Sequence, residues 1–142
     1  MINVKIRLMR DYCMPTKATS GSVGFDLYAN LDSSVILPSM DRILIPAGFC
    51  IELPENYEAQ IRPRSGLAYK NGITILNSPG TVDTDYRQEV KVILINLSKD
   101  SFEITPKMRI AQMVITKVEG VTLKNEDIHV TSRGGFGSTG LY

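Results

Sequence analysis

The sequence is poor in the residues that most metal and nucleophile sites need. Its 142 residues include no tryptophan, one histidine (His129) and two cysteines, Cys13 and Cys50. Two distant cysteines and one histidine form no CxxC, HExxH or Cys/His spacing, which excludes zinc held by those motifs. Ser-His-Asp and Cys-His catalysis would both have to use His129, which lies in a polar stretch without an elbow motif. We therefore expect other chemistry.

The chain also lacks an excess of charge and a long apolar run. Sixteen Lys and Arg residues against fifteen Asp and Glu residues leave a net charge of +1, which argues against a nucleic-acid partner. No apolar run approaches the roughly 20 residues that a membrane span requires, so no membrane contact is expected. The first residues resemble no signal peptide. These features predict a cytoplasmic protein whose cysteines are small core residues.

What the sequence does contain is a period-two pattern. Ile2, Val4, Ile6 and Leu8 alternate with polar residues, as in a half-buried strand. Further short apolar runs cover residues 35–37, 43–45, 49–53, 59–61, 73–76, 90–97, 102–104, 110–118 and 121–123. Turn signals separate them about every ten residues. The pattern predicts one all-β domain with at most one short helix, over residues 65–71 and ended by Gly72.

Two polar segments could carry chemistry. Residues 63–68 join a strand to the predicted helix, where backbone N–H groups, Arg64 and Ser65 would form an anion site. The alternative is an ordinary junction in which Ser65 caps the helix. Residues 77–87 form a predicted hairpin, in which Asp83 serves either as a general base or as a cap of its own backbone.

Three further features are ambiguous when taken singly. Asp26 lies between apolar residues, so its carboxylate needs an arginine partner or the water shell of a metal ion. Arg109 and Gln112, at the start of a predicted strand, are interpreted as surface residues. Residues 133–140 hold four of the eleven glycines, which indicates either a disordered tail or a mobile lid.

Taken together, five segments resemble the trimeric dUTP diphosphatase (dUTPase) family in order and spacing. They are PTKATSGSVGFDLYA (15–29), PRSGLA (63–68), GTVDTDYRQE (80–89), RIAQ (109–112) and GFGSTG (135–140). The resemblance implies a distorted jelly-roll barrel that forms a homotrimer with active sites shared between subunits. It places the jelly-roll domain at residues 1–130 and a C-terminal arm, which closes over an active site, at residues 131–142.

The resemblance also implies the reaction: dUTP and water give dUMP and pyrophosphate with Mg²⁺, which keeps uracil out of DNA and supplies dUMP for thymidylate synthesis. Asp83 would activate the water that attacks the α-phosphorus, and Tyr86 would lie against the sugar and exclude a 2′-OH. Asp26 would act near the metal through water. The implied substrate-binding residues are Asn77, Gly80, Thr81, Val82 and Lys91 for the nucleoside, Arg64, Ser65, Gly66 and Gln112 for phosphates, Phe136 at the base, Arg133, Ser138 and Thr139 at the γ-phosphate, and Gly137 within the same arm.

The chain departs from the family pattern at three positions. Gln88 and Lys107 stand where the family has glycine, and a left-handed backbone at residue 88 would strain the hairpin. Arg133 is two residues nearer to Phe136 than in the family. Two alternatives to dUTP hydrolysis stay open: an enzyme related to dCTP deaminase, which shares the fold, and a non-catalytic regulatory trimer that binds nucleotide.

Overall fold

Short antiparallel strands account for most of the ordered backbone, as the period-two pattern predicts. The computed structural model describes residues 1–141, and within them eleven strands, one α-helix and one 3-10 turn are formed. The strands are β1 (Lys5–Leu8), β2 (Phe25–Tyr28), β3 (Val35–Leu37), β4 (Arg42–Pro46), β5 (Phe49–Glu52), β6 (Tyr57–Arg62), β7 (Ile73–Ile75), β8 (Gly80–Val82), β9 (Lys91–Asn96), β10 (Phe102–Ile104) and β11 (Arg109–Lys117). The 3-10 turn is Asp11–Cys13 and the helix, α1, is Ser65–Asn71.

The strands form four antiparallel sheets whose neighbours are mostly distant in sequence. Their orders are β2-β11-β6-β8, β4-β9-β7, β1-β5 and β10-β3. Because β11 lies between β2 and β6, the last strand of the chain pairs with one strand from the first part of the sequence and one from its middle. This crossed connectivity confirms the predicted all-β jelly-roll with one short helix.

A single apolar core lies between the sheets. Its largest fully buried side chains include Phe49, Leu27 and Leu94, and burial of each such side chain contributes about 1.5–3 kcal/mol. Cys13 and Cys50 are buried free thiols, which confirms their prediction as small core residues. Burial raises the pKa of the Cys13 thiol, because the thiolate would lose its solvation there.

The predicted helix is confirmed, including its end. Gly72 follows it with φ 66°, a left-handed conformation that glycine adopts at little cost, and its N–H donates to the carbonyls of Leu67 and Ala68. The alternative in which Ser65 caps the helix is wrong. Arg64 occupies the cap position, without a side-chain cap hydrogen bond, and Ser65 is the first helical residue.

One strand prediction is wrong and one hairpin prediction is incomplete. Residues 121–123 form no strand, and Val121 and Leu123 are exposed, because no strand edge lies beside them to satisfy their backbone groups. The segment 77–87 is more than a hairpin loop. β7 and β9 do pair, but Gly80–Val82 within their connection pairs with β6 and so joins a different sheet. The β2 strand escaped prediction because Asp26 interrupts its apolar pattern.

The last described part of the chain, residues 118–141, contains no helix or strand and is exposed throughout. Tyr142, the last residue of the predicted arm, lies outside the described residues. Within residues 1–141 no helix is both long and apolar enough to cross a membrane.

Candidate functional site

Three of the five motif segments meet at one cleft, which we call the Arg64 cleft. It encloses about 320 Å³ beside the central strand β11, where Gln112 pairs with Asp26 on β2 and with Arg62 on β6. β6 ends at Arg62, opposite Gln112, and α1 begins three residues later at Ser65. The first turn of the helix therefore lies at the cleft. Its lining residues are Ala18, Ser22, Val23, Gly24, Asp26, Arg62, Arg64, Ser65, Gly66, Gln112 and Val114.

Asp26 forms the charged centre of this cleft. Its Oδ1 accepts a hydrogen bond from Nε of Arg64 and its Oδ2 one from Nη1 of Arg109, both at 3.2 Å, and only 13% of its side chain is exposed. Nη1 of Arg64 also donates to the carbonyl of Arg109 at 3.1 Å. Arginine, one of the two partners expected for this carboxylate, is present. Arg62 and Arg64 line the cleft against the single carboxylate of Asp26, so its lining carries a net positive charge.

Arg109 is the residue that sequence reasoning missed. Taken alone it was interpreted as a surface residue, although it begins the RIAQ segment that resembles a family motif. Its guanidinium is about half exposed, so N–H groups that Asp26 does not use remain accessible from solvent. Gln112, also interpreted as a surface residue when taken alone, is half-buried and lines the cleft.

Gln112 is held between two segments. Its Nε2 donates to the carbonyl of Pro63 at 3.0 Å, and its side chain lies directly against Gly24, where an added Cβ would be 2.2 Å from Oε1. No side chain larger than hydrogen fits at residue 24 while Gln112 keeps this position.

A second cavity, the Tyr86 cavity, holds most of the residues implied for the nucleoside. It encloses about 300 Å³ and is lined by Leu44, Asn77, Thr81, Val82, Tyr86, Val90, Lys91 and Ile93. Gly80 is buried behind it, and an added Cβ there would lie 3.3 Å from Nδ2 of Asn77. An apolar floor with an amide, a hydroxyl and an ammonium group around it suits a flat polar heterocycle and its sugar.

Asp83 lies at neither of these places. It is exposed at the end of β8 and lines a third cleft, the Asp83 cleft, together with Glu55, Asn56, Tyr57, Glu58, Thr84, Val118, Glu119 and Gly120. Its carbonyl accepts a hydrogen bond from the Tyr86 N–H at 3.2 Å, so both residues belong to one turn. The Arg64 cleft shares no lining residue with either of the other two.

The arm residues stand apart from all three places. Arg133, Phe136, Gly137, Ser138 and Thr139 are exposed and line none of the three clefts. Their hydrogen bonds are local, as between the Ser138 hydroxyl and the Gly134 carbonyl at 2.8 Å. Within one subunit, the described arm residues 131–141 therefore cover none of these three clefts.

The two departures from glycine differ in their backbone. Among residues 1–141, the non-glycine residues with positive φ are Met40, Asn56, Lys107 and Phe136. Gln88 is not one of them, so the strain considered for the hairpin is not present. Lys107, with φ 65°, does occupy a conformation that favours glycine.

A metal ion would find few direct ligands here. Within the described part of the chain, no group of three or more His, Cys, Asp or Glu residues could hold one. Mg²⁺ commonly keeps several waters and takes its remaining ligands from substrate phosphates and one or two carboxylates. Asp26 fits such a water-mediated role, because each of its oxygens accepts one arginine bond and has a second lone pair.

Comparison with known proteins agrees with the resemblance. The family model described as dUTPase matches residues 10–140. The deoxyuridine 5′-triphosphate nucleotidohydrolase of Rickettsia bellii is 54% identical, with 98% of this chain and 96% of that protein covered. That of Fusobacterium nucleatum is 48% identical, with 99% of each chain covered.

Solved structures show the same fold at lower identity. The dUTPase of Staphylococcus bacteriophage 80alpha, in a mutant form with dUpNHpp, superposes with a TM-score of 0.85 at 22% identity, covering 99% of this chain and all of that one. A mutant dUTPase from phage phi11 of S. aureus, described with a structural Mg(II) ion, superposes with a TM-score of 0.80 at 18% identity, covering 92% of this chain and all of that one. With its motif segments in family order and its whole length matched by close relatives, the chain belongs to the dUTPase family.

Proposed function

We propose that the protein hydrolyses dUTP to dUMP and pyrophosphate, and so keeps uracil out of DNA and supplies dUMP for thymidylate synthesis. The observation that carries the proposal is the grouping of side chains. Residues suited to a nucleoside line the Tyr86 cavity, and cationic and amide groups suited to phosphates line the Arg64 cleft. Relatives about half identical in sequence are named for this reaction.

Nucleoside recognition belongs to the Tyr86 cavity in this proposal. Backbone groups of residues 80–82 and the side chain of Asn77 read the uracil edge, and Lys91 contacts the substrate at the rim. A site that hydrogen-bonds one base edge rejects a base with reversed donors more strongly than an apolar pocket rejects a methylene group. The Tyr86 ring lies against the deoxyribose and leaves no room for a 2′-OH, which excludes UTP.

Asp83 acts as the general base. Its exposed carboxylate takes a proton from water while the water oxygen bonds to the α-phosphorus. The bond between the α-phosphorus and the bridging oxygen breaks, and pyrophosphate leaves with the electron pair. Asp83 also receives the 3′-OH of the sugar, which fixes the nucleoside relative to the attacking water.

Phosphate binding belongs to the Arg64 cleft, with Gln112, Ser65 and Gly66 as further donors. Each hydrogen bond to a charged oxygen contributes about 1.5–3 kcal/mol. Mg²⁺, bound mainly by the triphosphate and water, would neutralise charge on the phosphates, and Asp26 would hold one of its waters. The carboxylate also aligns the guanidinium of Arg64, since it accepts from Nε.

The complete site requires other subunits. In one chain Asp83, the Arg64 cleft and the arm lie apart, which supports a homotrimer whose sites combine them from different copies. The arm, residues 131–142, would close over a site of the trimer. There Phe136 and Gly137 cover the base, and Arg133, Ser138 and Thr139 reach the γ-phosphate.

Pyrophosphate release from dUTP, dCTP, dTTP and UTP, with and without Mg²⁺, tests the proposal. We expect rapid release from dUTP alone, a requirement for Mg²⁺, and loss of turnover in Asp83→Asn. Asp85→Asn is the matched control, since it removes the same charge two residues away in the same turn. Turnover of dCTP with ammonia release would instead indicate a deaminase. Tight dUTP binding without hydrolysis would indicate a regulatory trimer.

A further inference from the structure

The loop that carries Asp83 and Tyr86 returns to the core at Glu89. The carboxylate of this residue is half-buried, and its Oε1 accepts two hydrogen bonds. One comes from the Gly48 N–H at 3.0 Å and the other from Nδ2 of Asn30 at 3.1 Å. Both donors belong to segments outside the loop, so Glu89 fixes the loop to the body of the protein.

The backbone beside Glu89 is hydrogen-bonded to residues 47–49, the segment that contains Gly48. The Val90 N–H donates to the Phe49 carbonyl at 2.8 Å, and the Val90 carbonyl accepts from the Ala47 N–H at 2.9 Å. Gly48 lies between these two partners and donates to the Glu89 carboxylate. Residues 47–49 therefore hold the side chain of Glu89 together with the backbone N–H and carbonyl of Val90.

Tyr86 depends on this anchor. Its hydroxyl donates to the Glu89 carbonyl at 2.9 Å, across three residues of exposed loop. The side of the ring away from the protein is free, since 38% of the residue is exposed. The hydroxyl bond is thus what ties the ring, as a wall of the Tyr86 cavity, to a fixed point of the fold.

We propose that Glu89 is a positioning residue that sets the Tyr86 ring and thereby determines the discrimination between 2′-deoxy and ribonucleotides. This inference rests on the proposed function, because it concerns the sugar that Tyr86 contacts. Without the carboxylate, Gly48 and Asn30 lose their acceptor, and the Val90 N–H bond to the Phe49 carbonyl is left as the anchor of the peptide group that carries the Glu89 carbonyl. A displacement of about 1 Å at a positioning group costs on the order of a hundredfold in rate, so even a small shift of the ring changes the selectivity that it imposes.

The test is the ratio of kcat/KM for dUTP to kcat/KM for UTP in the full-length protein. We expect Glu89→Ala to lower this ratio by about tenfold or more, with KM for dUTP raised more than kcat is lowered. Glu89→Gln keeps an oxygen acceptor at Oε1 and should stay within about threefold of the wild-type ratio. This rescue separates the positioning role from a loss of charge.

A double-mutant cycle adds a readout that simple destabilisation does not change. Tyr86→Phe removes the hydroxyl that donates to Glu89, so Glu89→Ala in that background should lower the ratio by less than about threefold further. Independent, additive effects would overturn the inference, as would a wild-type ratio in Glu89→Ala. If Glu89→Ala does not fold, Asn30→Ala removes one donor only and should lower the ratio by about threefold. An unchanged ratio there also overturns it.

The outcomes distinguish this inference from the proposed function. Wild-type protein that fails to hydrolyse dUTP overturns the proposed function, and the sugar-discriminating role of Glu89 fails with it. Wild-type protein that hydrolyses dUTP, with variants that keep its selectivity, overturns the role of Glu89 alone.

Discussion

Gly24, which directly precedes β2, and Gln112 on β11 lie in direct contact. A Cβ atom at residue 24 would be 2.2 Å from Oε1 of Gln112 and 3.2 Å from its Cβ. The absence of a side chain at one residue thus sets the position of an amide at the other. Because the amide lines the Arg64 cleft, this contact connects a packing requirement to the proposed phosphate site.

Gly24→Ala should therefore weaken substrate binding. The added methyl group displaces the Gln112 amide, and loss of one hydrogen bond to a charged phosphate raises KM for dUTP by about tenfold or more. Steady-state kinetics measure this change. Gly21→Ala is the matched control, since a Cβ there has no neighbour within 4 Å, and it should leave KM unchanged. An unchanged KM in Gly24→Ala would show that Gln112 does not bind phosphate.

Asp26→Asn tests the water-mediated role of Asp26 at the metal. Loss of the carboxylate charge weakens the alignment of Arg64 and Arg109, so KM for dUTP should rise by about tenfold. The Mg²⁺ concentration that gives half-maximal activity should rise as well, because the amide holds a metal-bound water less strongly. Glu103→Gln, which removes one exposed charge on β10, serves as control. If Asp26→Asn leaves the Mg²⁺ titration unchanged, Asp26 aligns the two arginines and has no role at the metal.

Lys107 is the departure from glycine whose backbone is strained. Its φ of 65° costs more with a Cβ than without one, although glycine also loses more entropy on folding. We expect Lys107→Gly to be more stable than Lys107→Ala by about 0.5–1 kcal/mol in urea unfolding. Both variants lose the contact of the ammonium group with the Tyr12 ring, at 5.1 Å, so their difference isolates the backbone term. Equal free energies of unfolding for the two variants would show that the positive φ of residue 107 has no cost for a residue with a Cβ.

Local patterns predicted the strands and the helix well. Alternating residues identified β1, and the Asn71-Gly72 pair identified the end of α1, because both signals depend only on neighbouring residues. Two of the errors are non-local. Residues 121–123 have the pattern of a strand but no edge to pair with, and β8 was assigned to a loop although it pairs with β6.

The sequence predicted which types of residue the site needs, and it did not predict which residues contact one another. The need of Asp26 for a cation followed from its apolar neighbours, whereas the choice of Arg64 and Arg109 depends on the register of β2 against β11. That register changes at an irregularity between Arg109 and Ala111, and a shift of one residue would turn every side chain to the opposite face. The register of two strands this far apart in sequence is set by the packing of the whole fold, so neighbouring residues do not predict it.

Mixed trimers test most directly whether the site is completed between subunits. Asp83→Asn and Arg64→Gln variants, each expected to show little activity alone, are unfolded together, refolded in equal amounts and assayed for pyrophosphate release from dUTP. If each site takes Asp83 from one subunit and Arg64 from another, about a quarter of the sites recover both residues, and about a quarter of wild-type activity returns. Activity no higher than that of the separately refolded variants would contradict a shared site.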